Sequence, residues 1–110
     1  VQGGQPIILH QIVGSMLVDM SILIEAGRNL IWKCCWNHDH VGSSVHLSSA
    51  AKVFCSDAAL EITSKAIEVL GGYGLMKDYP LEKYFRDVKI LQIAGGTNLV
   101  HRVFNVPFLG

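Results

Sequence analysis

The apolar residues between Pro6 and Trp36 constrain the fold more than any other feature of the sequence. They recur at steps of three or four residues, or at small sums of these steps, with charged residues between them. The set comprises Ile8, Ile12, Met16, Met20, Leu23, Leu30 and Cys34. This period predicts one amphipathic helix of roughly 30 residues, or about 45 Å, with Pro6 in its first turn. A helix of this length needs equally long neighbours to cover its apolar face.

A second long helix is predicted from about Val45 to Leu70. Ser43 or Ser44, at the end of a polar connector over residues 37–44, can cap its first turn by accepting a backbone N–H. Gly71 and Gly72 end it, because glycine enters the left-handed conformation without a side-chain clash. One face of this helix carries Leu47, Ala51, Phe54, Ala58, Ile62, Ala66 and Leu70.

Two shorter helices are predicted in the C-terminal third. Pro80 can start the first of them, and Gly95 with Gly96 breaks the chain after it. Thr97 can cap the second, which extends to about Phe104 before Pro107 ends regular structure. The third helix has an apolar side of Leu81, Tyr84, Phe85 and Val88.

Two long and two short helices predict an all-α fold, an antiparallel four-helix bundle in which residues 1–110 form one domain. The chain has 110 residues, of which 50% are hydrophobic and 16% charged, so we expect it to bury a substantial core. A short buried strand over Ile90–Ile93 is the alternative to helix in that segment.

The composition excludes several classes of function. The formal net charge is zero, so no basic excess favours binding to nucleic acid. No apolar run approaches the roughly 20 residues that span a bilayer. Three cysteines without a CxxC pair indicate a reducing compartment. The first residues resemble neither a start nor a signal peptide, which leads us to expect that the chain begins within a longer protein.

Two groups of residues have chemistry of their own. His38, His40 and His46, with Cys34 or Cys35, are ligand types that zinc accepts, but their spacing matches no metal motif and solvated surface histidines are favoured. Cys55 is expected to be a small apolar residue without a catalytic role.

The glycine turns differ in what they can bind. The sequence Gly95-Gly96-Thr97 precedes a helix, where unpaired N–H groups can receive a phosphate or a developing oxyanion, although a plain helix cap is the simpler interpretation. Gly71 and Gly72 follow a helix, where the dipole is negative and disfavours phosphate.

One continuous segment of the C-terminal half, from Gly71 to Lys89, reads GGYGLMKDYPLEKYFRDVK. This segment resembles the late signature of the acyl-CoA dehydrogenase family, and the similarity continues through Ile90, Gln92, Ile93, Gly96, Thr97, Asn98 and Arg102. Gly4-Gln5-Pro6-Ile7 and His10-Gln11 resemble the start of the family's long C-terminal helix. The resemblance covers essentially the whole chain and implies that it corresponds to the C-terminal four-helix bundle of a three-domain protein.

The resemblance also implies which residues touch FAD. His10 and Gln11 match a pair that contacts the cofactor, and Thr97 with Asn98 matches the segment near its phosphates. Glu68, Gly71 and Gly72 match a Gln-x-x-Gly-Gly motif that reaches the FAD of a neighbouring subunit. Glu68 departs from that motif, and a carboxylate near a pyrophosphate repels it unless protonated or paired with a cation.

Gly95 stands where many members have the catalytic glutamate. Glycine cannot act as a base, so no catalytic residue is predicted in this chain. Isovaleryl-type and some long-chain-type members also lack this glutamate and use one from an earlier helix, which here would precede Val1. Gly95 and Gly96 then mark the acyl pocket, because a missing side chain leaves room near the reacting carbons.

The function implied by the resemblance is α,β-dehydrogenation of an acyl-CoA thioester, with hydride transfer to FAD. The implied partners are acyl-CoA, a second copy of the chain in a homodimer or homotetramer, and an electron-transfer flavoprotein, in the cytoplasm or the mitochondrial matrix. Two alternatives remain: a noncatalytic dimerisation or scaffold bundle, and a stand-alone helical metal protein. By itself, the 110-residue chain is expected to fold without turning over acyl-CoA and without retaining FAD.

Overall fold

The chain folds into four α-helices joined by short turns. The computed structural model describes all residues from Val1 to Gly110. The helices are α1 (Gln11–His40), α2 (Val45–Leu70), α3 (Leu81–Leu91) and α4 (Asn98–Asn105). Short 3₁₀ turns cover Ile7–Leu9, Gly71–Leu75 and Val106–Phe108, and the single β-bridge joins Gln2 to Gln5. The predicted all-α class is confirmed.

Both predicted ends of α1 are wrong. Pro6 precedes a 3₁₀ turn, and the extended backbone of His10 (φ −76°, ψ 124°) delays the helix to Gln11. At the other end the helix continues through His40, so the connector is only residues 41–44. Asn37, in the last turn of α1, binds the residues that follow the helix: its carbonyl accepts N–H groups from Val41 and Gly42, and its Nδ2 donates to the Gly42 carbonyl at 2.9 Å.

The predicted ends of α2 are confirmed. Ser44, not Ser43, is its cap, with Oγ accepting the N–H of Leu47 at 3.2 Å. Gly71 ends the helix at φ +61°, a conformation that glycine adopts without penalty. The chain then folds back tightly, because Gly74 is buried against α2.

The segment Ile90–Ile93 is not a strand. Helix α3 runs through Leu91, and Gly95 and Gly96 then turn the chain at φ +68° and +91°. Thr97 caps α4 as predicted, with Oγ1 accepting the N–H of Val100 at 3.2 Å. Pro107 lies within the last 3₁₀ turn and does not end regular structure.

Helix α2 is the centre of the packing. Helix α1 runs antiparallel to it, and α3 and α4 both pack against it. The molecule measures 54 × 25 × 24 Å, with a radius of gyration of 17.1 Å. A compact chain of this length has a radius of gyration of about 13 Å, so this one is elongated.

The expected core is largely absent. Met20, Ala51 and Ala58 are the only apolar side chains that are buried. Ile8 and Ile12, predicted on the covered face of the first helix, are 58% and 78% exposed. The prediction of a substantial core is therefore wrong: the helices present apolar faces that this chain by itself leaves open. None of the helices combines the length and apolarity that crossing a membrane requires.

Candidate cofactor and acyl site

The turn between α3 and α4 has the free polar groups that a ligand would need. The backbone N–H groups of Gly95, Gly96, Thr97 and Leu99 make no hydrogen bond within the chain. They lie at the start of α4, where the helix dipole is positive. Such an arrangement suits an anionic oxygen, as of a phosphate.

Asn98, in contrast, is engaged within the protein. Its buried side chain donates from Nδ2 to Ser56 Oγ and Asp57 Oδ1, both at 2.8 Å, and accepts Lys52 Nζ at 2.6 Å on Oδ1. Its backbone N–H donates to the Gln92 carbonyl at 2.9 Å. The residue therefore fastens α4 to α2, and a cofactor contact at Asn98 would displace one of these partners.

Asp57 is the acceptor at the centre of this network. Its carboxylate receives Arg102 Nη2 at 2.7 Å and Gln92 Nε2 at 2.8 Å, besides Asn98. Burial raises the pKa of Asp57, but the hydrogen bonds from Arg102, Gln92 and Asn98, with the charge of Arg102, outweigh burial and hold the pKa below its ordinary value. Asp57 thus stays ionised and holds both α4 and the end of α3.

Lys52 and His101 hold the glycine turn itself. Lys52 Nζ donates to the Gly96 carbonyl at 2.8 Å, and His101 Nε2 lies 2.9 Å from the Gly95 carbonyl oxygen. His101 Nδ1 lies 3.0 Å from Oγ of Ser49, which is buried on α2. A carbonyl only accepts, so Nε2 is the donor in the contact with Gly95.

The other predicted cofactor residues form a second cluster at the far end of α2. His10 precedes α1 and bonds through Nε2 to the Gln2 carbonyl at 3.0 Å, whereas Gln11 and Glu68 are exposed. A Cβ added at Gly71 or Gly72 would meet nothing within 4 Å. Residues 52 and 71 are separated by roughly 28 Å along the helix axis. A single chain therefore does not bring Thr97 together with the Gly71–Gly72 corner.

Gly95 borders open space. A Cβ at this position would meet nothing within 4 Å. A neighbouring cavity of about 400 Å³ is lined by Lys52, Cys55, Ser56, Leu91, Ala94 and Gly95. Cys55 donates its thiol to the Gly27 carbonyl at 3.7 Å, and burial raises the pKa of this thiol, which keeps it neutral.

The structure does not assemble the histidines and cysteines into a metal centre. No three His, Cys, Asp or Glu side chains are grouped to hold an ion. His38 bonds to Ser43, His40 to the Trp36 carbonyl, and His46 to Asn105. The metal-protein alternative therefore has no geometric support.

Sequence reasoning missed Lys52, Asp57 and His101. Each of these residues contacts residues that are distant from it in the sequence, so no local motif reveals it. One signal was present: Ser49, Lys52 and Ser56 follow each other at steps of three and four, which places three polar residues on one face of α2. Such a polar stripe on a central helix indicates a buried hydrogen-bond network.

The fold and this site define a helical-bundle domain with a glycine turn open to a ligand at the start of its last helix. Residues 1–104 match the family described as acyl-CoA dehydrogenase, C-terminal domain. The chain belongs to the acyl-CoA dehydrogenase family and corresponds to its C-terminal domain.

Similar proteins carry names of the same family. The chain is 44% identical to a cyclohexane-1-carbonyl-CoA dehydrogenase of Geobacter metallireducens over 91% of its own length and 26% of that protein. It is 39% identical to an acyl-CoA dehydrogenase of Bacillus subtilis over 99% of its length and 29% of that protein. The chain thus spans about a quarter of these relatives.

Solved structures agree with the fold. Butyryl-CoA dehydrogenase from Megasphaera elsdenii superimposes with a TM-score of 0.91 at 37% identity, over 99% of this chain and 28% of that one. A chain from work on the electron transferring flavoprotein of Acidaminococcus fermentans gives a TM-score of 0.94 at 38% identity, over 99% of this chain and 29% of that one.

Proposed function

We propose that the complete protein is a FAD-dependent acyl-CoA dehydrogenase that introduces an α,β double bond into an acyl-CoA thioester. In this proposal the chain is the C-terminal domain, which contributes FAD contacts and an oligomer interface. Family membership supports it, and one observation carries it for this chain: the turn before α4 exposes the unpaired N–H groups of Gly95, Gly96 and Thr97.

The residues at this turn fit a phosphate of FAD. The dipole of α4 and the ammonium of Lys52 are both positive there. The carboxylate of Asp57, which binds the side chain of Asn98, is engaged with three donors. Gly71 and Gly72 allow close approach of a ligand to the backbone, but the Glu68 carboxylate near them opposes a phosphate.

The separation of the two clusters favours contacts to two FAD molecules. Thr97 would touch one cofactor, and the Gly71–Gly72 corner, roughly 28 Å away along α2, would touch that of a neighbouring protomer. His10 precedes α1 and Gln11 is its first residue, and because α1 runs antiparallel to α2, both belong with the second cluster.

Bound FAD supplies the acceptor for a hydride from the β carbon of the substrate. This chain would hold the cofactor and leave open space for the acyl group beside Gly95 and Gly96. It offers no carboxylate at the usual position of the base, and Lys52 and His101 are already hydrogen-bonded to the turn. The α-proton therefore passes, in this proposal, to a glutamate on a preceding helix of the complete protein.

The remaining assignments extend the same proposal. The substrate is acyl-CoA, the electrons go to an electron-transfer flavoprotein, and the protein forms a homodimer or homotetramer. Exposed apolar faces on several helices support self-association. Three free cysteines support a reducing compartment, the cytoplasm or the mitochondrial matrix.

The alternative is a noncatalytic dimerisation or scaffold bundle, favoured by Glu68 and by Gly95 at the position of the base. Purification of the complete protein separates the two. The dehydrogenase gives stoichiometric flavin absorbance and reduces an artificial electron acceptor with at least one of butyryl-CoA, isovaleryl-CoA and cyclohexane-1-carbonyl-CoA. A colourless, inactive but folded oligomer would instead establish the scaffold.

A further inference from the structure

The carbonyl groups of the two glycines before α4 are each held by a side chain that is anchored to α2 or belongs to it. The Gly95 carbonyl lies against His101, whose ring is held by Ser49 of α2, and the Gly96 carbonyl receives Lys52 of α2. Packing supports the first contact, because a Cβ added at Gly96 would lie 3.2 Å from His101 Nε2.

The two carbonyl contacts also fix the directions of two backbone N–H groups. In a planar trans peptide the N–H points opposite to the C=O. The Gly95 carbonyl shares its peptide with the N–H of Gly96, and the Gly96 carbonyl shares its peptide with the N–H of Thr97. Each N–H group therefore points away from the side chain that holds the carbonyl of its peptide, and neither N–H has a partner in the chain.

Because both residues of the turn are glycines, other side chains must hold the two peptides in this orientation. Gly95 and Gly96 have φ values of +68° and +91°, and glycine populates positive and negative φ about equally, so either peptide can rotate unless it is held. A charged donor to a carbonyl is a stronger hydrogen bond than a neutral one, which suits Lys52 to this task.

We propose that Lys52 and His101 are positioning residues that fix these two peptides so that the N–H groups of Gly96 and Thr97 converge on one anionic oxygen of FAD. The inference rests on the proposed function. Neither side chain touches the cofactor in this arrangement; each acts through a glycine carbonyl on the opposite side of the turn.

The experiment measures FAD affinity in the complete protein, by flavin fluorescence during titration of the apoprotein. Lys52→Met and His101→Leu are each expected to raise the Kd for FAD about tenfold, because each frees one peptide to rotate. Lys52→Arg and His101→Gln keep a donor and should stay within about threefold of wild type. Lys33→Met removes an exposed charge from α1 and serves as the matched control.

A merely structural role is separated by the melting temperature of each apoprotein. A loss of affinity in Lys52→Met and His101→Leu, measured at a temperature at which each apoprotein is still folded, together with rescue by the conservative variants, supports the inference. Affinity within twofold of wild type in both apolar variants overturns it, and so does a loss that only accompanies unfolding. A wild-type protein that binds no FAD overturns the proposed function together with the inference.

Discussion

At the scale of single residues, Gly74 is the glycine whose missing side chain the fold requires. A Cβ there would lie 2.8 Å from the Ile67 carbonyl oxygen and 2.9 Å from Ile67 Cα, which are backbone atoms of α2 that cannot move aside cheaply. Gly74→Ala is expected to lower the free energy of unfolding by about 1–3 kcal/mol. Gly72→Ala, where a Cβ meets nothing within 4 Å, should change it by no more than about 0.5 kcal/mol. Chemical denaturation measures both, and equal losses would contradict the argument.

The contribution of Asp57 to the stability of the fold is expected to depend on pH. Hydrogen bonds hold the pKa of the folded carboxyl below its ordinary value of 3.8, so its contribution to stability is full above that value and is lost as pH falls through the folded pKa. Asp57→Asn should cost about 1–2 kcal/mol near pH 7, a modest figure because the carboxylate is 39% exposed and water screens it. The difference in the free energy of unfolding between Asp57→Asn and wild type should shrink below about pH 4. Denaturation curves from pH 3 to pH 7 check this, with Asp39→Asn as control; a difference independent of pH would refute it.

At the scale of elements, the cap of α2 gives a prediction that the sequence left open between two serines. Ser44 Oγ accepts the N–H of Leu47, whereas Ser43 Oγ bonds only to the ring of His38 on the surface. Ser44→Ala is expected to lower the free energy of unfolding by about 1 kcal/mol, and Ser43→Ala by less than about 0.5 kcal/mol. Melting temperatures of the two variants compare them directly. Equal shifts would mean that the cap does not govern the start of this helix.

The sequence predicts where the helices lie better than it predicts where some of them begin and end. Apolar period and capping residues predicted all four helices, because these signals are local: Gly71 ends α2 and Thr97 starts α4 as expected. The start of α1 was missed because a 3₁₀ turn and the extended backbone of His10 delay the helix.

The candidate site was predictable in part. The glycine turn before α4 is a local signal and was found. The side chains that hold it were not, because contacts such as His101 to Ser49 or Lys52 to Asn98 join residues about fifty positions apart. Their pairing depends on how α4 lies on α2, which periodicity does not specify.

At the scale of the whole molecule, the distribution of the candidate residues predicts how the 110-residue chain behaves by itself. Its two clusters are roughly 28 Å apart along α2 and both open to solvent, so one chain offers a cofactor few simultaneous contacts. The isolated chain is therefore expected to purify without flavin. Absorbance near 450 nm after addition and removal of excess FAD measures this. Stoichiometric retention would show that one copy, or an assembly of this domain only, is sufficient.

The shape of the molecule predicts self-association through the groove between α1 and α2. This groove has a volume of about 400 Å³ and a mostly apolar lining to which Ile24, Ile31 and Trp32 contribute from α1. With so few side chains buried, the chain would gain stability if a second copy covered this surface. Ile31 is already 45% exposed, so Ile31→Glu should weaken association about tenfold while melting of the monomer changes little. Val41→Glu, at a 73% exposed position outside the groove, is the matched control. Light scattering over a concentration series measures both; a wild-type chain that stays monomeric, or equal weakening by the two variants, would exclude this groove as the interface.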